Sequence, residues 1–195
     1  MPLLVGLSGY SGVGKDTVAR LLPLVAPGVG FGSVALAGRV KTTSHCLYGH
    51  LGLERPEYYD SNRAARYITL PLIGKSPVQV WCELGDAMRV VYANTWVDIA
   101  LNAASTMAEA VACVTDVRYP NEAEAIQRAG GVVCRIINPR VRPLDTQADH
   151  AMDNWTGRYD YEIVNDGSET ELENRVHRLW RHLEKRLLID RKQNR

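Results

Sequence analysis

Short apolar runs alternate with amphipathic stretches along the chain, and glycine-rich turns separate several of them. Runs of this length, bounded by turn residues, are typical of buried β-strands. The pattern predicts five strands, at residues 3–7, 34–37, 111–117, 132–137 and 161–165.

Helices are predicted where apolar residues recur at spacings of three and four. The predicted helices are residues 17–22, 62–70, 78–92, one opening at Thr95, one from Pro120 to the Gly130 turn, and one after Ser168. Strands that alternate with helices predict a parallel sheet and therefore the α/β class. Residues 138–158 are polar and lack a clear period, and loops this long are often lids or binding loops.

The composition is that of a globular chain of 195 residues, with 23 basic and 22 acidic side chains. This balance argues against an extended nucleic-acid surface, so an anionic ligand must be met by a local group of cations. Residues 21–38 are uncharged, but two prolines and four glycines interrupt them and argue against a membrane span. Because the start lacks a positive leader, we expect a cytoplasmic protein, or one in the host cytoplasm if the gene is viral. Reduced thiols are expected for the four widely spaced cysteines, Cys46, Cys82, Cys113 and Cys134.

The strongest motif is GYSGVGKDT at residues 9–17, which fits the phosphate-loop pattern directly after a predicted strand. Its glycines let successive N–H groups point at phosphate oxygens, and the start of the next helix adds a positive end. Lys15 is expected on a solvent-facing loop, within reach of the β- and γ-phosphates. Asp16 either contacts magnesium or caps the helix, and the usual hydroxyl follows at Thr17. The alternative is a plain glycine-rich turn with an exposed lysine.

A second motif, VACVTDVRYPNE at residues 111–122, ends an apolar strand with Asp116 and Arg118. Since the C-terminal ends of parallel strands face the ligand crevice, Asp116 is placed to serve magnesium or the acceptor. Arg118 would neutralise phosphate charge. The alternative is that these two side chains simply pair with each other in a loop.

Other candidates are scattered cations that lie after predicted strands or in loops, because phosphoryl transfer needs positive groups around the moving phosphate. They are Arg39, Lys41, Arg89, Arg140 and Arg142. For Arg140 and Arg142 an ordinary solvated loop is the alternative. Trp81 and Trp96 could stack a base, but both lie on apolar helix stripes, where core packing is the more frequent role.

Several motifs together resemble the viral and bacterial deoxynucleoside monophosphate kinases, P-loop proteins of the nucleoside monophosphate kinase superfamily. The motifs are SGVGKDT (11–17), GRVK (38–41), LGDAMR (84–89), NTW (94–96), DVRYPNEAEAI (116–126), GGVVCRI (130–136) and NDGS (165–168). The resemblance covers nearly the whole chain. It implies a three-layer P-loop fold with a five-stranded parallel sheet flanked by helices, in one domain of residues 1–195. An acceptor-binding helical segment at about 39–96 and a lid at about 138–158 complete the implied organisation.

The activity implied by the resemblance is transfer of the ATP γ-phosphoryl group to a deoxynucleoside monophosphate, with Mg²⁺, by a monomer or homodimer. The implied residues for ATP are Gly12, Val13, Gly14, Lys15, Asp16, Thr17, Arg142, Asn165 and Gly167. Those for the acceptor are Arg39, Lys41, Trp81, Arg89, Trp96, Asp116, Arg118, Asn121 and Glu122. Metal contacts fall to Asp16, Thr17 and Asp116, and catalytic roles to Lys15, Asp16, Asp116, Arg118 and Arg140.

Two other functions stay open from the sequence. The first is a small-molecule phosphate kinase of the phosphomevalonate type, whose acceptor pocket would be small and wholly cationic. The second is a P-loop module that binds nucleotide without transferring phosphate. It would bind ATP without forming ADP in response to an acceptor.

Overall fold

The computed structural model describes residues 1–143 and 151–193, and it divides into two compact units. Unit 1 comprises Met1–Val34 and Ala100–Arg195 and carries the β-sheet; unit 2 comprises Ala35–Ile99 and is built mainly of helices. Unit 2 covers nearly the residues of the predicted acceptor segment, while the single domain of residues 1–195 stays a prediction. The predicted lid includes residues 144–150, which lie outside the described residues.

A five-stranded sheet forms the centre of unit 1, with the strand order β2-β3-β1-β4-β5. The strands are β1 (Leu3–Ser8), β2 (Phe31–Ala35), β3 (Val111–Val117), β4 (Val132–Ile137) and β5 (Tyr161–Val164). They run parallel, which confirms the predicted α/β class with a parallel sheet flanked by helices. Since parallel strands end at one edge of the sheet, the loops that follow β1, β3 and β4 lie close together.

The helices are α1 (Lys15–Val25), α2 (Leu36–Tyr48), α3 (Pro56–Ser61), α4 (Pro77–Val91), α5 (Thr95–Ser105), α6 (Pro120–Arg128) and α7 (Glu169–Gln193). The start of α7 is fixed by the predicted capping box, because Ser168 and Glu171 exchange side-chain and backbone hydrogen bonds. Across the described residues, the helices are too short or too polar to cross a membrane.

The two faces of the sheet carry different helices. Leu3, Val5 and Leu7 of β1 point into the large apolar core that β1 shares with α1 and α7. Gly6 points to the opposite face, where a Cβ would approach the Ile126 side chain of α6 to 2.9 Å. Because side chains alternate along a strand, Ser8 shares the face of Gly6.

The second predicted strand is shifted in the structure. Residues 34–37 were expected to be extended, but β2 ends at Ala35 and Leu36 begins α2. β2 is an edge strand in which only Val34 is buried, so its own pattern gives a weak signal. The apolar run divides because Leu36 and Val40 share the buried side of α2, at helical spacing.

In unit 2, the predicted helix at residues 62–70 is wrong. α3 ends at Ser61, Arg63–Tyr67 forms a short 3₁₀ helix, and Leu70 bridges to Lys75. None of the residues of the 3₁₀ helix is buried, so no apolar stripe holds a longer helix there. The small core of this unit is formed instead by Leu53, Tyr59 and Val80.

Candidate active site

The glycine-rich loop connects β1 to α1 at the centre of the sheet. Gly9, Gly12 and Gly14 all have positive φ angles, of 141°, 84° and 103°, which side chains other than glycine rarely allow. Gly14 is the N-cap of α1, an 11-residue helix, so the first N–H groups of the helix face the loop. This is the geometry of a phosphate cradle, in which backbone N–H groups at a helix start can bind phosphate oxygens.

Lys15 is buried rather than solvent-facing, and this corrects the sequence-based expectation. Its side chain is 6% exposed, and Nζ donates hydrogen bonds of 2.9 Å to the carbonyl oxygens of Gly9 and Tyr10. The loop wraps around the ammonium because a buried charge requires polar partners. Lys15 therefore holds the loop closed as well as offering a positive charge to a ligand.

Asp116 lies in a β-bulge at the end of β3. Gly6 of β1 pairs with Val114 and Ser8 with Val117, so β3 contains one more residue than its partner over this stretch. Asp116 has a φ of 65°, which places a non-glycine residue in the left-handed region. The bulge directs its carboxylate toward the glycine-rich loop.

Three charged groups meet at this point. Asp116 Oδ1 lies 3.9 Å from Lys15 Nζ and 3.9 Å from a terminal guanidinium nitrogen of Arg118. Both distances exceed the 2.7–3.2 Å typical of a direct hydrogen bond, so neither pair is closed. We call Lys15, Asp116 and Arg118 the charge centre. Asp116 and Arg118 are each 25% exposed, so the centre remains accessible to a ligand.

Glu122 supports Arg118 from below. Its carboxylate is 1% exposed and accepts hydrogen bonds from the backbone N–H groups of Arg118 (2.9 Å) and Tyr119 (3.2 Å). This role in the strand-to-helix turn differs from the acceptor contact predicted for Glu122. Asn121, beside it in the first turn of α6, is half-buried.

Asn165 ties the end of β5 to the glycine-rich loop. Its side-chain amide donates a 2.9 Å hydrogen bond to the carbonyl of Val13, and a Cβ at Gly14 would collide with that amide. Asn165 was predicted near ATP, and the structure adds that it contacts the loop itself. Gly167 is exposed two residues further on.

The predicted metal residues lie around the same loop. Asp16 is exposed and Thr17 half-buried in the first turn of α1. Among the residues that the structure describes, no three His, Cys, Asp or Glu side chains form a metal cluster. Mg²⁺ in kinases is commonly held by one or two carboxylates together with substrate phosphates, so these residues fit that mode of binding.

Arg140 and Arg142 are exposed on the segment after β4. The backbone N–H of Arg140 donates to Asn138 Oδ1 at 3.0 Å. The hydrogen bond from Arg175 is the main cause of the low pKa of Asp166, and the charge of Arg140 contributes to it as well.

Unit 2 holds the remaining predicted acceptor residues. Lys41 Nζ lies 5.3 Å from the centre of the Trp81 ring and 3.4 Å from Asp60 Oδ1. Asp60 also pairs with Arg66 at 2.8 Å, and sequence reasoning missed both of these residues.

Of the other acceptor candidates in this unit, Trp96 is 3% exposed and its indole N–H donates to Gly85 O at 3.0 Å. Trp96 therefore has the core-packing role that the sequence offered as the alternative to base stacking. Arg89 pairs with Asp86 at 3.3 Å, and Arg39 is exposed on α2.

The comparisons with known proteins concern the fold. Neither a protein-family model nor a curated protein sequence matches the chain. TT1252 from Thermus thermophilus matches with a TM-score of 0.51 at 14% identity, over 93% of this chain and 98% of that chain. A shikimate kinase from Aquifex aeolicus has a TM-score of 0.45 at 17% identity, over 95% of this chain and 99% of its own. One from Bacteroides thetaiotaomicron has 0.48 at 16%, over 93% and 98%. The similarity to TT1252 supports the architecture described above and nothing finer.

Proposed function

We propose that the protein is an ATP-dependent kinase that transfers the γ-phosphoryl group of ATP to the phosphate of a deoxynucleoside monophosphate. The observation that carries the proposal is the charge centre, in which a glycine-rich-loop lysine meets a carboxylate and an arginine from the neighbouring strand. The acceptor class comes from the motif resemblance at residues 11–17 and 116–126.

The donor side follows from the glycine-rich loop. Its N–H groups and the start of α1 would bind the ATP phosphates, and Asn165 would hold the loop in the shape that accepts them. Lys15 would exchange its hydrogen bonds to loop carbonyls for contacts with phosphate oxygens. This exchange keeps the ammonium solvated by the protein in both states.

The chemistry requires little covalent participation from the protein. An oxygen of the acceptor phosphate bonds to the γ-phosphorus while the bond to the β-phosphate oxygen breaks, and the negative charge leaves on ADP. Lys15 would offset the charge on the ATP phosphates and Arg118 the charge on the acceptor phosphate. The Asp116 carboxylate between these two cations would fix their positions. Bound Mg²⁺ would neutralise further phosphate charge, with Asp16, Thr17 and Asp116 as its available protein contacts.

The proposal is tested by measuring ADP release from ATP and Mg²⁺ with each candidate acceptor in turn. The acceptors are dAMP, dGMP, dCMP, dTMP, the four ribonucleoside monophosphates and phosphomevalonate. We expect ADP formation that depends on at least one deoxynucleotide. Activity with phosphomevalonate alone would move the function to the other acceptor class. ATP binding without acceptor-dependent ADP would instead identify a binding module. The variant Arg118→Ala removes the arginine of the charge centre. Its matched control is Arg128→Ala, which removes an exposed arginine at the far end of α6.

A further inference from the structure

A cavity of about 200 Å³ lies within unit 1, at the C-terminal ends of β1 and β4. We call it the β1–β4 cavity. Ser8 and Arg135, which are register partners in the two strands, form its floor, and Arg118 of the charge centre lines its wall. Of the lining residues, sequence reasoning had assigned Arg118 to the acceptor and Val13 to ATP, and it had not singled out the others as site residues.

The cavity borders the glycine-rich loop, because Gly9, Tyr10 and Val13 also line it, but its two register partners lie away from α1. Ser8 and its partner Arg135 lie on the sheet face that carries α6, whereas α1 packs against the opposite face of β1. The first turn of α1 would bind the ATP phosphates. The part of the β1–β4 cavity formed by Ser8 and Arg135 therefore lies on the sheet face opposite to α1.

The lining combines apolar walls with a few hydrogen-bonding groups, as is typical of small-molecule sites. Apolar contributions come from Val117, Ile136, Val141 and Met152. The Ser8 side chain, which is 1% exposed, shares a hydrogen bond with the Tyr159 hydroxyl. Tyr10 of the glycine-rich loop donates a 2.7 Å hydrogen bond to Asp153.

Tyr159 gives the cavity an aromatic surface backed by a cation. The Arg135 guanidinium lies 5.2 Å from the centre of the Tyr159 ring. Burial raises the pKa of Tyr159, so its hydroxyl stays protonated at neutral pH and remains a hydrogen-bond donor. Aromatic rings and hydroxyl or carboxylate groups together are what recognise a flat, polar-edged ring.

Resting on the proposed function, we propose that the β1–β4 cavity receives the nucleobase of the acceptor monophosphate. Arg118 belongs to both the charge centre and the cavity wall, so an acceptor phosphate held there brings its nucleoside to the cavity. An apolar cavity of about 150 Å³ is enough to bind benzene. A volume of about 200 Å³ therefore suits one base rather than a whole nucleotide. Tyr159 and Asp153 are the residues that distinguish one base from another.

Tyr159→Phe tests the base-reading role, because it removes one hydroxyl and keeps the ring. We expect KM for the preferred deoxynucleotide to rise at least fivefold, or the preference among the four bases to change at least fivefold. KM for ATP should stay within twofold. Tyr161→Phe is the matched control, since Tyr161 loses the same hydroxyl on β5 outside the cavity, and it should change neither KM.

Met152→Trp tests occupancy by filling the cavity from its half-buried rim. Calorimetric titration should show that this variant loses deoxynucleotide binding at least tenfold while ATP binding is retained. Thermal melting of each variant establishes that it is folded, and Tyr159→Phe alone decides the matter if Met152→Trp is not.

The outcomes separate this inference from the proposed function. Unchanged acceptor parameters in folded Tyr159→Phe, or a change in KM for ATP alone, would overturn the assignment of the cavity. If the wild-type protein forms no ADP with any deoxynucleotide, the kinase proposal fails, yet the titrations still decide the cavity. The assignment of the cavity would then be supported if the wild-type protein binds a deoxynucleotide and Met152→Trp does not. Equal binding by the wild type and Met152→Trp, or binding by neither, would reject the assignment.

Discussion

Asp116 adopts a left-handed backbone conformation that costs a non-glycine residue on the order of 1–3 kcal/mol. Such strain persists where the surrounding structure or the function requires it. At Asp116 the strained bulge brings a carboxylate to 3.9 Å from both cations of the charge centre. We therefore attribute the conformation to the position of this side chain rather than to the stability of β3.

Two separate substitutions of Asp116, to Gly and to Ala, distinguish the effect of the backbone conformation from the effect of the carboxylate. Asp116→Gly should relieve the strain and melt at or above the wild-type temperature, whereas Asp116→Ala should be less stable by about 1 kcal/mol. Both should lose at least about 100-fold in turnover, a loss typical of removing one charge-stabilising group. Wild-type turnover in Asp116→Gly would place the carboxylate outside the reaction.

Lys15 has two roles in the structure, and its substitution should reveal both. Lys15→Ala should lose at least about 100-fold in turnover, as expected when a preorganised donor to a reacting phosphate is removed. It should also lower the free energy of unfolding by about 1–3 kcal/mol, because the carbonyls of Gly9 and Tyr10 lose their charged donor. Chemical denaturation checks the second effect; a folded variant with normal turnover would remove Lys15 from the site.

The residues of the charge centre differ in which of their properties are local to the sequence. Lys15, Asp116 and Arg118 were all predicted from motifs, since their spacing relative to strand ends is a local property. The burial of Lys15 was not, because it depends on which way the loop carbonyls turn. The bulge at Asp116 was not either, since it arises from the pairing of β3 with β1.

At the scale of elements, the loops after β1 and β5 are held together by one side chain. Asn165 donates to the Val13 carbonyl across 152 residues of sequence separation. The glycine-rich loop is thereby held by a residue that follows β5 as well as by the hydrogen bonds of Lys15 to the loop carbonyls. A loop that is already in its binding shape loses less entropy when a triphosphate binds.

Asn165→Ala should consequently weaken ATP binding more than acceptor binding. Loss of one hydrogen bond worth about 1 kcal/mol corresponds to about a fivefold rise in KM for ATP. KM for the acceptor should stay within twofold. Asn174→Ala, an exposed asparagine on α7, is the control and should change neither value. Equal changes in both KM values would contradict the donor-side role.

The four cysteines, all of them thiols, report on the packing of these elements. Cys113 and Cys134 are buried in β3 and β4, and burial raises the pKa of Cys113 to about 12 and that of Cys134 further. Cys46 and Cys82 are exposed. A disulfide reagent at pH 8 should therefore modify two thiols quickly and the other two only when the sheet unfolds.

The raised pKa of a buried thiol also determines how its contribution to stability depends on pH. A raised thiol pKa favours the neutral form in the folded protein, so its contribution to stability is complete below the ordinary value of 9.0. It is lost as the pH rises toward about 12. Raising the pH from 8 to 9 should not speed modification of Cys113 in the native state, and rapid reaction of all four thiols would contradict the buried sheet.

At the scale of the whole molecule, the parallel sheet was predictable and the β1–β4 cavity was not. Strands 111–117 and 132–137 were predicted with their observed bounds, because buried parallel strands have continuous apolar runs. The cavity depends on contacts such as that between Tyr10 and Asp153, which are separated by 143 residues. Arg135, a charged residue inside an otherwise apolar strand, is the signal that could have indicated it.

The most direct measurement uses ATP labelled in its γ-phosphate, incubated with the wild-type protein and each deoxynucleoside monophosphate. The charge centre predicts that the label appears in a deoxynucleoside diphosphate, and that Arg118→Ala abolishes this product while Arg128→Ala does not. A label that stays on ATP, or is released only as inorganic phosphate with every acceptor, would contradict the account.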